Sequence, residues 1–235
     1  MNDILSIIRQ ELIRNSDEKT LQSSKHFFKE SIVTYGVTMP VVGRIAKEQY
    51  KLAKNLTKTE LFELCTQLWE SGYLEESFIA CNWSYFIHQQ YDVSDFKVFE
   101  EWVKKYVNNW ASCDTLCNHT IGKLLTMYPE LLIHLKGWAT SSNRWTRRAA
   151  AVSLIIPARE GRFLEDIFAI ADLLLLDNDD LVQKGYGWML KAASQAHQQE
   201  VFEYVMKNKK VMPRTSLRYA IEKMPPPLKA QAMAK

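Results

Sequence analysis

Two interleaved series of helix-start signals run through this sequence. One falls near Thr57, Val93, Pro129, Arg162 and His197, the other near Tyr73, Asn109, Asn143, Asp179 and Pro213. Each series advances by about 33 to 37 residues, enough for two helices and their turns. A helix pair of that length cannot bury its own apolar face, so successive pairs must stack. The period predicts an all-α fold, an α-solenoid of antiparallel helix pairs resembling HEAT repeats, as one curved domain over residues 1–224. First helices are expected on the outer wall. The second helices, 73–90, 109–127, 143–156, 179–195 and 213–224, are expected on the inner, concave wall. Residues 225–235 begin with Pro225, Pro226 and Pro227 and are expected to be a loosely held tail.

Composition agrees with helices. Only 8 Gly and 7 Pro are available for turns, too few for an all-β chain of 235 residues, while 47% hydrophobic and 24% charged residues fit an ordered, soluble protein. No apolar run approaches the roughly 20 residues that span a bilayer, and MNDILSIIRQELIRN reads as an amphipathic helix, not a signal peptide. A cytoplasmic protein without membrane contact is expected. Cys65, Cys81, Cys113 and Cys117 form no C-x-x-C pair and are expected to be reduced and packed. The sharper alternative, zinc held by Cys113 and Cys117 with His119 or His134, lacks a recognisable ligand spacing, so neither metal nor cofactor is expected.

Charge is unevenly distributed. Residues 1–135 carry 14 Lys and Arg against 17 Asp and Glu, residues 136–235 carry 16 against 10, and the basic half points to a polyanionic partner. Helical projection at about 100° per residue places Arg144 and Arg148 on one flank of their helix. It places Trp188 outside the core stripe of Val182, Tyr186, Met189 and Ala193, beside Lys184 and Lys191, and Arg214 and Arg218 continue the basic series. In NNWASCDTLCNHTIGKLL, Asp114 interrupts an apolar stripe of Trp110, Cys113, Cys117, Ile121 and Leu124. A carboxylate in such a stripe needs a partner or a purpose. It could pair with a lysine or cap backbone in a protein-binding scaffold, or share with Trp110 a site for something positive.

The segments YGVTMPVVGRIAK, LWESGYLEESFIA, the W-x-x-x-D of Trp110 and Asp114 with Ile121-Gly122 behind it, NRWTRRAA and DNDDLVQKGYGWMLK occur in a telling order. Together they resemble the AlkD-type DNA alkylation repair glycosylases of the HEAT-like repeat group, from Tyr35 to about Lys223. The resemblance implies a DNA repair hydrolase acting on the N-glycosidic bond of cationic N3- or N7-alkylated purines in duplex DNA, without a cofactor, as a monomer. It implies that Asp114, Trp110 and Trp188 lie at the reaction centre and that Arg148 grips the DNA backbone, with Arg144, Lys184, Lys191, Arg214 and Arg218 completing a basic groove. The sequence departs from the family pattern at Ala111, Gly185, Cys113, Cys117 and His119. The group also includes members that bind DNA without excising simple alkylated bases, and the alternative function is a non-catalytic repeat protein that binds damaged, bent or branched DNA.

Overall fold

A computed structural model describes residues 2–234, with the side chains of Asn2 and Lys25 excepted. Among these the secondary structure is helical, and the sole extended pairing is a bridge between Val33 and Tyr73. None of the described helices is long and apolar enough to cross a membrane. The chain divides into two compact units, Met1–Leu116 and Cys117–Lys235.

The first unit contains α1 (Asn2–Arg14), α2 (Glu18–Phe27), α3 (Met39–Ala53), α4 (Lys58–Glu70), α5 (Leu74–Phe86), α6 (Asp95–Lys105) and α7 (Trp110–Thr115). Helix α4 opens with a capping box, in which Thr57 accepts from the Glu60 backbone N–H and the Glu60 carboxylate accepts from that of Thr57. Helix α5 packs on α3, α4 and α7. The Trp83 indole N–H on α5 donates to the Ala46 carbonyl of α3 at 2.8 Å from a fully buried position.

Two buried acids explain why YGV and LEES belong together. Glu75 accepts from the Thr34 hydroxyl at 2.6 Å and from the backbone N–H groups of Tyr35, Gly36 and Val37 at 3.0 Å each. Glu76 takes a two-nitrogen contact from Arg9 and the Tyr35 hydroxyl at 2.7 Å. Both carboxylates have 0% exposure, so these bonds replace their hydration. Gly36 sits at φ 79°, and a Cβ there would lie 2.8 Å from Leu21 Cβ, so only glycine lets the loop turn against α2. These residues are architectural.

At the start of α4, Lys58 bridges Asp92 at 2.5 Å and Asp95 at 3.0 Å. Its hydrogen bond, with that of Ser94, lowers the Asp92 carboxyl to about 2. A depressed folded-state pKa contributes stability above the unfolded value of about 4, and that contribution is lost as pH falls through about 2. Lys58→Met is therefore expected to lower stability by a roughly constant amount above about pH 4, and by progressively less as pH falls towards 2, read by denaturant unfolding at a series of pH values with circular dichroism.

The second unit contains α8 (Gly122–Met127), α9 (Leu132–Ala139), α10 (Arg144–Val152), α11 (Ile155–Arg159), α12 (Leu164–Leu174), α13 (Asp180–Ala193), α14 (Gln198–Asn208), α15 (Arg214–Ala220) and α16 (Pro226–Met233). Helix α13 packs against α10, α11, α12 and α15, while α9 packs on α12 and α14 on α16. Tyr73, Asn109, Asn143, Asp179 and Pro213 are the N-caps of α5, α7, α10, α13 and α15. The second series of start signals thus marks true helix boundaries.

The expected helices 73–90 and 213–224 end earlier, at Phe86 and Ala220, and two further departures have a plain chemical cause. The predicted helix over 143–156 breaks after Val152, because Pro157 has no N–H for the Ser153 carbonyl and its ring would collide with it. Gly122 accommodates that carbonyl, which would lie 2.9 Å from a Cβ at position 122. The predicted tail is also corrected. Pro226 and Pro227 occupy the first turn of α16, where a missing N–H costs no helix bond, and buried Ala232 packs the helix onto α14. Met1 and Lys235, at the ends of the expected ranges, lie outside the described residues.

Candidate functional site

Helix α7 continues into a π-helical stretch, Leu116–Ile121, and then into α8. The reason is visible in the burial pattern. Ser112, Leu116, Thr120 and Leu124 are buried, as are Cys113, Cys117, Ile121 and Leu125, so the inward-facing positions repeat every four residues. An α-helix turns every 3.6 residues and would rotate that stripe away from the core. A π turn restores the phase.

This register corrects the placement of Asp114. The stripe preceding the π turn centres on Ser112, Cys113, Leu116 and Cys117, leaving Trp110 and Asp114 together on its flank, one turn apart and each partly exposed. Asp114 is the last-turn acid of α7, beside the point where the helix widens. Around Trp110 stand two aromatics that the sequence reading misses. Phe28 stacks on it at 5.5 Å and 27°, and Phe27 lies at 5.5 Å and 60°. Phe27 is 66% exposed, so the cluster presents an open aromatic face. No spacing rule links Phe27 to Trp110; the only signal is an apolar pair at the end of the mostly polar α2.

In the second unit the expected cations take unequal roles. Arg144 pairs with Asp179 at 3.1 Å, the same residue that caps α13 through the Leu181 and Val182 N–H groups, and its guanidinium lies 4.4 Å from the Trp145 ring. Lys184 pairs with Asp180 at 2.7 Å, and Lys191 with Glu222 at 2.9 Å. Arg148 is only 5% exposed rather than displayed on a flank, because α10 is buried on nearly every side. Its Nη1 donates to the Leu181 carbonyl in the first turn of α13. Arg214 and Arg218 are exposed on α15 and, among the described residues, make no ion pair. Trp188 is partly exposed on α13 and makes no ring contact among the described residues. Arg147, not singled out in the sequence, fastens α10 to the α12–α13 turn through Asp177 at 2.6 Å, and donates to the carbonyls of Ser141 and Ser142 in the turn before α10.

The structure thus brings Trp110 and Asp114 together in the first unit, and in the second it sets Arg144, Arg148, Lys184, Trp188, Lys191, Arg214 and Arg218 on three successively packed helices. All four cysteines are buried, and burial pushes the Cys65 thiol up, away from reactivity. Among the described residues, no group of three or more His, Cys, Asp or Glu side chains is placed to hold a metal ion.

No curated protein sequence matches the chain. Among solved structures it is similar to a predicted DNA alkylation repair enzyme from Enterococcus faecalis, with a TM-score of 0.81 over 90% of this chain and 98% of that one. At 17% identity, this likeness establishes the fold. A family model described as DNA alkylation repair enzyme matches residues 8–224, which takes in every helix discussed above except α1's first turns and α16. The chain belongs to the DNA alkylation repair enzyme family.

Proposed function

We propose that the protein is a DNA glycosylase that removes cationic N3- or N7-alkylated purines from duplex DNA by hydrolysing the N-glycosidic bond. The observation that carries this reading is the pairing of Asp114 with Trp110 on one partly exposed flank of α7, beside the Phe27–Phe28 face. A purine alkylated at N3 or N7 is already positively charged, so the base leaves neutral and needs no proton from the enzyme. Positive charge then develops on the sugar. One fixed carboxylate stabilises that oxocarbenium-like state and orients water for attack on the sugar carbon, so a single acid replaces the usual glycosidase pair. Aromatic faces carry negative quadrupole density and hold a cationic nucleotide at about 0.5 to 2 kcal/mol per contact, the role assigned to Trp110. Trp188, partly exposed in the second unit, offers a further such face.

DNA is held by the cations of the second unit. Arg144, Lys184 and Lys191 are paired with partly exposed carboxylates, and exposed ion pairs contribute only about 0 to 1 kcal/mol, so a phosphate can displace the acid at small cost. Arg214 and Arg218 face solvent and give the clearest test. Each phosphate contact contributes about 0.9 to the slope of log affinity against log salt, independent of sequence. Arg218→Ala is expected to weaken binding to alkylated and intact duplex by the same factor and to flatten that slope by about one contact. Loss confined to alkylated duplex would assign Arg218 to lesion recognition instead. Catalysis is tested by release of free base from methylated duplex. Salt-dependent binding without release would identify a non-catalytic DNA-binding member, and no binding would leave a protein scaffold.

A further inference from the structure

We propose that the acidic groove between α4 and α6 receives the basic turn that follows α14 in a second copy of this chain, so that the protein self-associates at high concentration instead of remaining the monomer that the resemblance implies. The groove has a volume of about 660 Å³. Its floor is apolar, formed by Phe62 of α4 and by Val98 and Trp102 of α6, and its rim is acidic, with Glu63, Glu70 and Glu101 exposed. Glu63 and Glu70 make no ion pair among the described residues, and Glu101 has the exposed Lys105 at 2.5 Å. Lys58, the cation in the lining, is committed to Asp92 and Asp95. Such a surface repels phosphate, so DNA is not its occupant. It suits a cationic segment that also carries an apolar side chain.

The chain carries such a segment itself. Residues 204–221 contain five Lys and Arg and no Asp or Glu. Where α14 ends, the backbone N–H groups of Val211 and Met212 donate to the Asn208 carbonyl at 3.0 and 2.9 Å, and the Lys209 ammonium donates to the Gln231 carbonyl of α16 at 2.9 Å. Met212 is buried while Val211 is 57% exposed, beside the exposed Lys207 and Lys210. Neither of these two lysines makes an ion pair among the described residues. The turn is fixed before it meets a partner, so docking orders little further chain. Val211 matches the floor of the groove, and Lys207 and Lys210 match its rim. The anchor of the turn, α16, lies beyond the matched residues 8–224, so family membership does not imply this device. One turn in one groove covers less than a standard interface, and the charges are exposed, so the association is weak and sensitive to salt.

The test is sedimentation velocity of the full chain without DNA over roughly 10 to 500 µM, at low salt and at about 1 M, where the Debye length shrinks to about 3 Å. The wild-type protein is expected to sediment faster as its concentration rises at low salt and to lose that rise at high salt. Two charge reversals, Glu63→Lys with Glu70→Lys and Lys207→Glu with Lys210→Glu, are each expected to shift association to at least about tenfold higher concentration. An equimolar mixture of the two reversed proteins is expected to associate again, because the first keeps the basic turn and the second keeps the acidic groove. Glu63→Gln and Lys210→Gln give the same direction if thermal melting shows a reversal to be unfolded. Wild-type protein that stays monomeric throughout would overturn the proposal and leave the groove to a basic segment of another protein. Association left intact by either reversal would overturn it too, as would a mixture of folded variants that stays monomeric.

Discussion

Asp114→Asn is expected to abolish measurable base release while leaving a folded, DNA-binding protein. The amide is nearly isosteric with the carboxylate but carries no charge to set against the developing oxocarbenium. Each 1.4 kcal/mol of lost transition-state stabilisation costs about tenfold in rate, and removing a single preorganised electrostatic group from an active site typically costs about a hundred- to a thousandfold. Single-turnover release of 7-methylguanine reads this loss, and because the substitution affects chemistry and not binding, it should appear in the rate constant at saturating enzyme. Thermal stability should change by no more than about 1 kcal/mol, since Asp114 is partly exposed on the flank of α7. A structural acid predicts the opposite pair of results: an early melt and an unchanged rate.

Glu75→Ala is expected to be the most destabilising single substitution in the first unit. Its carboxylate is fully buried and collects the Thr34 hydroxyl and three consecutive backbone N–H groups of the 35–37 loop. Alanine leaves those donors unsatisfied inside the protein, at about 1 to 3 kcal/mol for each group that water cannot reach. A total of roughly 3 to 5 kcal/mol is expected, and at about 2 to 4 °C per kcal/mol for a chain of this size the melting midpoint should fall by roughly 10 °C or more. Glu75→Gln keeps an acceptor but brings an NH₂ group into a nest of donors, so it should rescue only part of the loss. A melting change below 2 °C for alanine would show that the loop is held mainly by its other contacts.

The repeat period was legible because it depends on local chemistry. Asn109, Asn143 and Asp179 accept backbone N–H groups in the first turns they cap, and that chemistry marks a helix start wherever it occurs. What stayed hidden depends on contacts distant in sequence or on departures from ideal helix geometry. Glu75 and Glu76 look like a solvated charge pair until the loop carrying Tyr35 and the helix carrying Arg9 close over them. Phe27 and Phe28 reach Trp110 across more than eighty residues of chain. The π turn did leave a trace, in buried positions that repeat every four residues between Ser112 and Leu125. A projection at fixed α-helical pitch folds that pattern into a single stripe with Asp114 inside it. The same projection put Arg148 on a flank, but a flank is exposed only if no neighbouring helix covers it, and α13 does.

The glycosylase reading is tested most directly by incubating the wild-type protein with a duplex methylated at purine N7 and N3 and measuring the free bases released into solution. The account predicts release of 7-methylguanine and 3-methyladenine, each leaving one abasic site in an otherwise unbroken strand, at a rate far above spontaneous depurination. Intact methylated duplex, bound by the protein but yielding free base only at the spontaneous rate, would contradict it.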